Sequence, residues 1–300
     1  MKPEIIIICG PTASGKSALS LSLAKALDTE IISADSLAIY KGLDIGTAKP
    51  TKEELSAVKH HLIDVCEPTD SFSVSDFENL ALPIIDDLIS RGKIPIICGG
   101  TGFYINSVLY KFGYGGSAGN LEVREKYFNL ANEFGVDYVY EELRKVDPES
   151  CEKIHKNDLV RVVRALEIYY STGKKKSEQN DKLVPRYSYL ALTPDIDRQS
   201  LYQRIDYRVD KMLEVGLIEE VKGLINNGID KNYQCMQGIG YKETYDAILS
   251  GDYDNLSYLI KLNSRHYAKR QVTFFKKLEG IVKVSRDTKV AVNDVLNLIK

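Results

Sequence analysis

The sequence predicts an α/β fold: a parallel sheet covered on both faces and interrupted by a helical insertion. Three observations predict it. Ile-rich runs alternate with helix-like stretches over the first hundred residues, a glycine-rich break ends the alternation, and strand character returns only near residue 187. Continuous apolar strands separated by helices mark a parallel sheet, because the crossover helices bury both of its faces.

Taken in order, Glu4–Cys9 reads as a strand, Ser17–Leu27 as a helix and Glu30–Ala34 as a strand. Phe77–Ser90 reads as a helix and Lys93–Cys98 as a strand. Gly113–Asn120 (GYGGSAGN) is the breaker. Beyond it Leu121–Glu133, Tyr138–Lys145 and Asp158–Ser171 look helical, with no strand between them. Asn157 or Asp158 is placed to cap the third of these, and Gly173 to stop it. Tyr187–Leu192 then reads as a strand followed by Thr193-Pro194, and three helical stretches are expected from Gln199 to the C-terminal region. The expected organisation is a core of residues 1–112 and 187–300, split by an insert at 113–186.

Composition narrows the class. The 300 residues are 44% hydrophobic and 27% charged, an ordinary balance for a soluble chain. No segment approaches the ~20 apolar residues that cross a bilayer, and Ile5–Cys9 is too short for a signal-peptide core. The five cysteines show no metal-ligand spacing, which argues for a reducing, cytoplasmic compartment and against zinc or disulfides. Cys9 and Cys98 end apolar strands and read as small core residues. The net charge of −2 announces no polyanion binder, yet residues 261–277 carry six Lys/Arg and no acid, and 161–186 carry seven against three acids. Such unevenness permits a nucleic-acid footprint on a nearly neutral protein.

The strongest local signal is Gly10-Pro11-Thr12-Ala13-Ser14-Gly15-Lys16-Ser17, a full match to GxxxxGK[ST] that follows a strand and opens a helix. The glycines let successive N–H groups converge on phosphate oxygens, and the helix N-terminus adds its positive end. Lys16 can reach across the phosphates and Ser17 can offer its hydroxyl to Mg²⁺. The core is therefore expected to be P-loop NTPase-like. The loop alone does not say which phosphate compound is bound. A kinase of this fold usually adds a carboxylate after a later strand, but Ile94–Cys98 runs into Gly99-Gly100-Thr101-Gly102. No NKxD motif is present, so a GTPase switch is not expected. Asp35 is the comparable carboxylate, at the carboxyl end of Glu30–Ala34, where such sheets bind ligands. It has three readings: a Mg²⁺ ligand, a general base for a second substrate, or a helix cap beside Ser36.

Several strings coincide in order with one family. GPTASGKS, SADSLAIYKGLDIGTAKP, HHLIDV, GGTGFY, RALEIY, QRIDYRVDKM, QGIGYKE and RHYAKRQVTFF resemble the tRNA dimethylallyltransferases, also called isopentenyltransferases, from residue 10 to about residue 277. The resemblance is to the short, bacterial-type form, without the C-terminal zinc finger of some eukaryotic members. It implies transfer of a dimethylallyl group from its diphosphate to N6 of the adenosine 3′-adjacent to the anticodon. It also implies the tRNA anticodon stem-loop and dimethylallyl diphosphate as partners, Mg²⁺ as cofactor, and a cytoplasmic monomer needing neither membrane nor protein partner.

The resemblance also assigns residues. Asp35 matches the family's catalytic aspartate, which favours the general-base reading; Arg208 matches a diphosphate-contacting arginine, whereas Arg204, four residues earlier on the expected helix, stays open between anion contact and solvated charge. Ser36, Leu37 and Ala38 match the base-contacting segment, and Thr101 matches a threonine placed near the reactive base, where its bland alternative is a helix cap. Arg124, Arg161 and Arg164 match RNA-contacting positions. The glutamine usual before the last two is Val160 here, and Arg164 has Glu167 as a possible surface partner. Tyr40 and Tyr104 read equally as stacking platforms or core. Lys174–Lys176 read as a solvated run at a helix end. The basic stretch 261–277, interleaved with Tyr267, Phe274 and Phe275, fits a surface that tracks an RNA backbone. Two other readings stand beside this one: an ATP-dependent small-molecule or nucleotide kinase, resting on the P-loop alone, and a non-catalytic RNA-binding module, resting on the basic stretch.

Overall fold

The computed structural model describes residues 2–111, 120–179 and 184–300. They divide into two compact units, Met1–Leu109 with Pro185–Lys300, and Tyr110–Val184.

The first unit is built on a parallel sheet of six strands in the order β3-β2-β4-β1-β5-β6. The strands are β1 Ile5–Cys9, β2 Ile31–Ser33, β3 His60–His61, β4 Ile96–Gly99, β5 Tyr189–Pro194 and β6 Val282–Val284. β1 is central, and each of its residues is buried. Helix α1 (Lys16–Leu27) packs Leu19, Leu23 and Ala24 onto Ile6, Ile8 and Ile96, and α13 (Thr288–Leu298) adds Ala291 and Val295. Full burial of each such Ile or Leu is worth roughly 1.5–3 kcal/mol. Helices α2 (Lys52–Ala57) and α3 (Val74–Ser90) each open on a capping box, Thr51 with Glu54 and Ser73 with Asp76. That box starts α3 three residues before Phe77, the start the apolar periodicity suggests. Helix α4 (Gly102–Leu109) follows β4 directly.

The second unit is helical among its described residues: α5 (Leu121–Phe134), α6 (Val136–Val146), α7 (Pro148–Lys153) and α8 (Leu159–Thr172). Tyr127, Val139, Leu143, Val162 and Leu166 form its core. Asp158 caps α8 by accepting from the Arg161 amide, and Gly173 ends it at φ 71°. Of the glycine-rich breaker only Asn120 lies within the described residues, and its side chain caps α5 at the Val123 amide.

The C-terminal region departs from expectation. Five helices occur after residue 197, where three stretches were expected: α9 (Arg198–Glu214), α10 (Leu217–Asn226), α11 (Tyr241–Ser250), α12 (Leu256–Phe275) and α13. Gly216 in the left-handed region (φ 112°) separates α9 from α10, and Gly251 closes α11. Strand β6 is only three residues long, too short to show a period. Among the described residues no helix is long and apolar enough to cross a membrane.

Candidate active site

The site forms at the carboxyl ends of β1, β2 and β4, which are neighbours in the order β2-β4-β1. Each contributes one loop. The loop after β1 is residues 10–17, with Gly10, Ala13 and Gly15 at φ 139°, 60° and 101°. The amides opening α1 have no side-chain cap from Gly15, and no preceding turn supplies them a carbonyl, which is the chemistry of an anion-binding loop. Lys16 folds over the loop, and its ammonium donates to the Pro11 carbonyl at 2.6 Å. Burial lowers the Lys16 pKa from its ordinary value; Arg208 adds to the effect, while Cys98 and Asp35 oppose it. The Thr12 amide donates to Gln271 Oε1 at 2.8 Å, while Thr12 itself lines both cavities that contain Asp35.

Asp35 follows β2 by two residues. Its Oδ1 accepts the amides of Leu37 (2.9 Å) and Ala38 (3.2 Å), so the capping reading is realised in one oxygen. Oδ2 makes no hydrogen bond within the protein among the described residues, and Asp35 lines two cavities. The larger, about 350 Å³, is also lined by Thr12, Leu37, Arg208, Ile239 and Tyr267, a volume suited to a small ligand. The smaller, about 120 Å³, brings Asp35 together with Lys16, Ser17, Cys98, Arg208 and Gln271. Asp35 thus shares this cavity with Lys16 and Ser17 of the phosphate loop.

The loop after β4 is Gly99-Gly100-Thr101-Gly102. A Cβ on Gly99 would sit 2.0 Å from the Ala34 carbonyl, and one on Gly100 2.2 Å from Gln271 Nε2. Only glycine permits that approach. Thr101 does not cap α4 through its side chain. Its Oγ1 accepts the Ser36 amide at 3.0 Å and lies 3.3 Å from the Ser36 hydroxyl, joining this loop to the Asp35 segment.

Gln271, given no role by the sequence, joins the loops after β1 and β4. Its Oε1 holds the Thr12 amide, and its Nε2 donates to the Gly100 carbonyl at 3.0 Å. It lies on the buried stripe of α12 with Ile260, Ala268 and Phe275. A polar residue on that stripe was the available signal.

Arg204 and Arg208, both on α9, lie beside the phosphate loop. Arg204 Nε donates to the Ala13 carbonyl at 2.8 Å, and Arg208 to the Thr47 carbonyl at 3.0 Å. Both line an open cleft with Gly15, Lys16 and Ser17. Arg204, left open between anion contact and solvated charge, is thus brought against the phosphate loop beside Arg208. Tyr40 and Tyr104 resolve as core: both are buried, and Tyr104 stacks on Phe77 with centroids 4.1 Å apart.

In the helical unit, Arg161 is exposed and pairs with Asp158 at 3.2 Å, and Val160 is exposed beside it. The expected surface pair of Arg164 with Glu167 is not one. Glu167 is wholly buried; it ion-pairs with Arg164 at 2.8 Å and accepts from Arg124 (3.0 Å) and the Asn120 amide. Burial alone raises the Glu167 pKa, but Arg164, the Asn120 amide and Arg124 outweigh it and hold it below the ordinary value. A depressed carboxylate stabilises the fold above its unfolded pKa, and that stability is lost as pH falls through the folded value. Arg164→Ala is expected to destabilise this unit by about 1–3 kcal/mol, since a buried carboxylate loses one of its partners. Urea denaturation followed by circular dichroism checks this, and a loss below about 0.5 kcal/mol would mark the pair as energetically idle.

Along α12, Lys261 and Arg265 pair with Asp210 and Asp206 of α9. His266, Lys269, Arg270, Thr273, Phe274 and Lys277 line an open groove instead. Lys174–Lys176 are not uniformly solvated, as Lys176 is half-buried in a short 3-10 turn.

The Mg²⁺ expectation can be set against these atoms. The Ser17 hydroxyl makes no hydrogen bond among the described residues and opens onto the cavity that holds Lys16 and Asp35. No cluster of three or more acidic, His or Cys side chains occurs among the described residues. One hydroxyl fits a Mg²⁺ carried chiefly by a substrate's phosphate oxygens and water.

A glycine-rich loop, a lysine and two arginines around an anion space, with a half-free carboxylate opposite, define a P-loop α/β transferase class of site. The IPP transferase family profile matches residues 38–278, and the isopentenyl transferase profile matches 3–69. The chain belongs to the IPP transferase family. It is 45% identical over 289 residues to a tRNA dimethylallyltransferase of Acetivibrio thermocellus, covering 95% of this chain and 92% of that one. It is 49% identical over 280 residues to one of Bacillus cereus, covering 92% and 87%. Among solved structures it is similar to the full-length tRNA isopentenylpyrophosphate transferase of Bacillus halodurans (TM-score 0.74, 40% identity, 98% and 95% covered). It is also similar to a eukaryotic dimethylallyltransferase acting on tRNA (TM-score 0.83, 32% identity, 97% and 77% covered).

Proposed function

We propose that this chain transfers a dimethylallyl group from dimethylallyl diphosphate to N6 of the adenosine 3′-adjacent to the anticodon, releasing diphosphate. One observation carries the proposal: Asp35 Oδ2 is uncommitted and shares a cavity with Lys16 and Arg208. The adenine amine is a poor nucleophile, because its lone pair is delocalised into the ring. Asp35 takes a proton from N6 as the nitrogen attacks the allylic carbon. The carbon–oxygen bond breaks, and its electron pair leaves with the diphosphate. The amides of the loop, Lys16, Arg204 and Arg208 stabilise that growing charge as donors already in place before the bond breaks. Ser17 is the residue that would hold a Mg²⁺, which would neutralise part of the charge on the leaving diphosphate. The loop then works as a leaving-group clamp, and no phosphoryl group moves.

Ser36 and Leu37 line the larger cavity and Ala38 the smaller; these residues and Thr101, which bonds Ser36, are assigned to the extruded base. Base chemistry requires the nucleotide to leave its stack. Arg161 and the groove of α12 are assigned to the RNA backbone. Arg124 and Arg164 are assigned there less directly, since both also hold Glu167. A monomeric, cytoplasmic enzyme is part of the same reading.

The test is incubation of the purified protein with unmodified tRNA, dimethylallyl diphosphate and Mg²⁺, followed by mass spectrometry of the nucleosides. Prenylated adenosine is expected. Its absence, together with ATP consumption stimulated by a small acceptor, would overturn the proposal in favour of a kinase.

A further inference from the structure

The segment SADSLAIYKGLDIGTAKP has two halves, and the proposed reaction assigns roles only to residues of the first. In the second, Gly46 and Thr47 line the larger cavity beside Asp35, and Thr47 to Lys49 line the smaller; one carboxylate holds this turn. Glu220, near the start of α10, accepts through Oε2 from the amides of Asp44 (2.9 Å) and Ile45 (2.8 Å). Through Oε1 it accepts from the Gly46 amide (3.2 Å) and the Tyr241 hydroxyl (2.6 Å). Gly46 must be glycine for this, because a Cβ there would lie 2.5 Å from the Tyr241 ring. Lys49 ties the far end of the turn to the Tyr40 carbonyl and to Asp44, at 2.6 and 2.7 Å.

The next residue after the clamped amides is Thr47. Its carbonyl receives the one hydrogen bond that the Arg208 guanidinium makes within the protein among the described residues. Arg208 lines both cavities containing Asp35 as well as the cleft at the phosphate loop. An arginine side chain has many rotamers, and holding one of them ready is what makes an anion site strong.

We propose that Glu220 is a positioning residue. It fixes the turn of residues 44–46 so that the Thr47 carbonyl aims the Arg208 guanidinium at the leaving diphosphate. This rests on the reading of Arg208 as a diphosphate contact.

The experiment is a double-mutant cycle on the affinity for inorganic diphosphate with Mg²⁺, measured by calorimetry on the full chain. Glu220→Ala and Arg208→Ala are each expected to weaken binding about tenfold. The double variant is expected to bind no more weakly than Arg208→Ala alone, because Glu220 acts through that arginine. A merely structural role would lower affinity in both backgrounds alike. Should Glu220→Ala fail to fold, Glu220→Gln takes its place. It keeps the shape but sets a donor against backbone amides, and a smaller loss, again absent without Arg208, is expected. Additive losses, or no loss in any Glu220 variant, overturn the proposal. Diphosphate binding needs no prenyl transfer, so that result would sink this inference alone. An absence of prenylated adenosine in the assay above would sink the functional reading.

Discussion

Asp35→Asn is expected to lower the rate of prenyl transfer by ~10²–10⁴-fold, the usual worth of a general base, while leaving diphosphate affinity and stability almost unchanged. Asparagine is the informative replacement because Asp35 does two jobs. Its Oδ1 caps the amides of Leu37 and Ala38, and an asparagine oxygen can keep both bonds. Alanine would remove the cap as well, at about 1 kcal/mol, and confuse lost chemistry with a loosened base-contacting segment. Single-turnover transfer to tRNA, read beside a melting curve, separates the two. Turnover within about threefold of wild type would leave the amine to be deprotonated elsewhere and remove the carboxylate from the mechanism.

Lys16→Met is the second large effect. Loss of one preorganised charge opposite a developing anion typically costs ~10²–10³-fold in rate, and Lys16 stands in that place. A pH signature accompanies it. Burial lowers the Lys16 pKa, so the free protein is more stable as pH rises through that lowered value toward the unfolded one. Diphosphate acts in the opposite sense, because an anion beside the ammonium favours its charged form. Binding is therefore expected to take up protons and to weaken as pH rises through the lowered pKa. Calorimetry in buffers of different ionisation enthalpy reads the uptake. The same uptake in Lys16→Met would assign it to another group.

Much of the fold was legible because its strands are uniform. Ile5 to Cys9 are apolar throughout, and each is buried, so length and flanking glycine sufficed to place β1. The two-residue β3 and three-residue β6 leave no pattern to read, and their pairing with β2 and β5 comes from tertiary context. In the site, the phosphate loop was legible because its chemistry is backbone chemistry at a fixed spacing. Asp35 was legible in position, but only the structure shows that capping takes one of its oxygens and leaves the other without a hydrogen bond among the described residues. Gln271 and Glu220 were missed for one reason: each works by bonding backbone atoms far away in sequence, 259 residues for the Thr12 amide and 176 for that of Asp44. Glu167 was misjudged because its spacing to Arg164 looks like an exposed helix pair, whereas its burial depends on how α5 packs on α8.

The placement of β4 between β1 and β2 has a metric consequence. Two inter-strand steps separate the strand that leads into the phosphate loop from the strand that leads to Asp35, roughly 10 Å at the spacing of any sheet, and the proposed reaction has to fit that interval. A hydrogen bond of about 2.8 Å from carboxylate to amine, a near-attack gap of about 3–3.5 Å from nitrogen to carbon, and the ester linkage to phosphorus fill much the same interval. The pleated backbone thus serves as the gauge block of the reaction. Loop substitutions can blunt its tools, but the distance between them is ruled by peptide geometry.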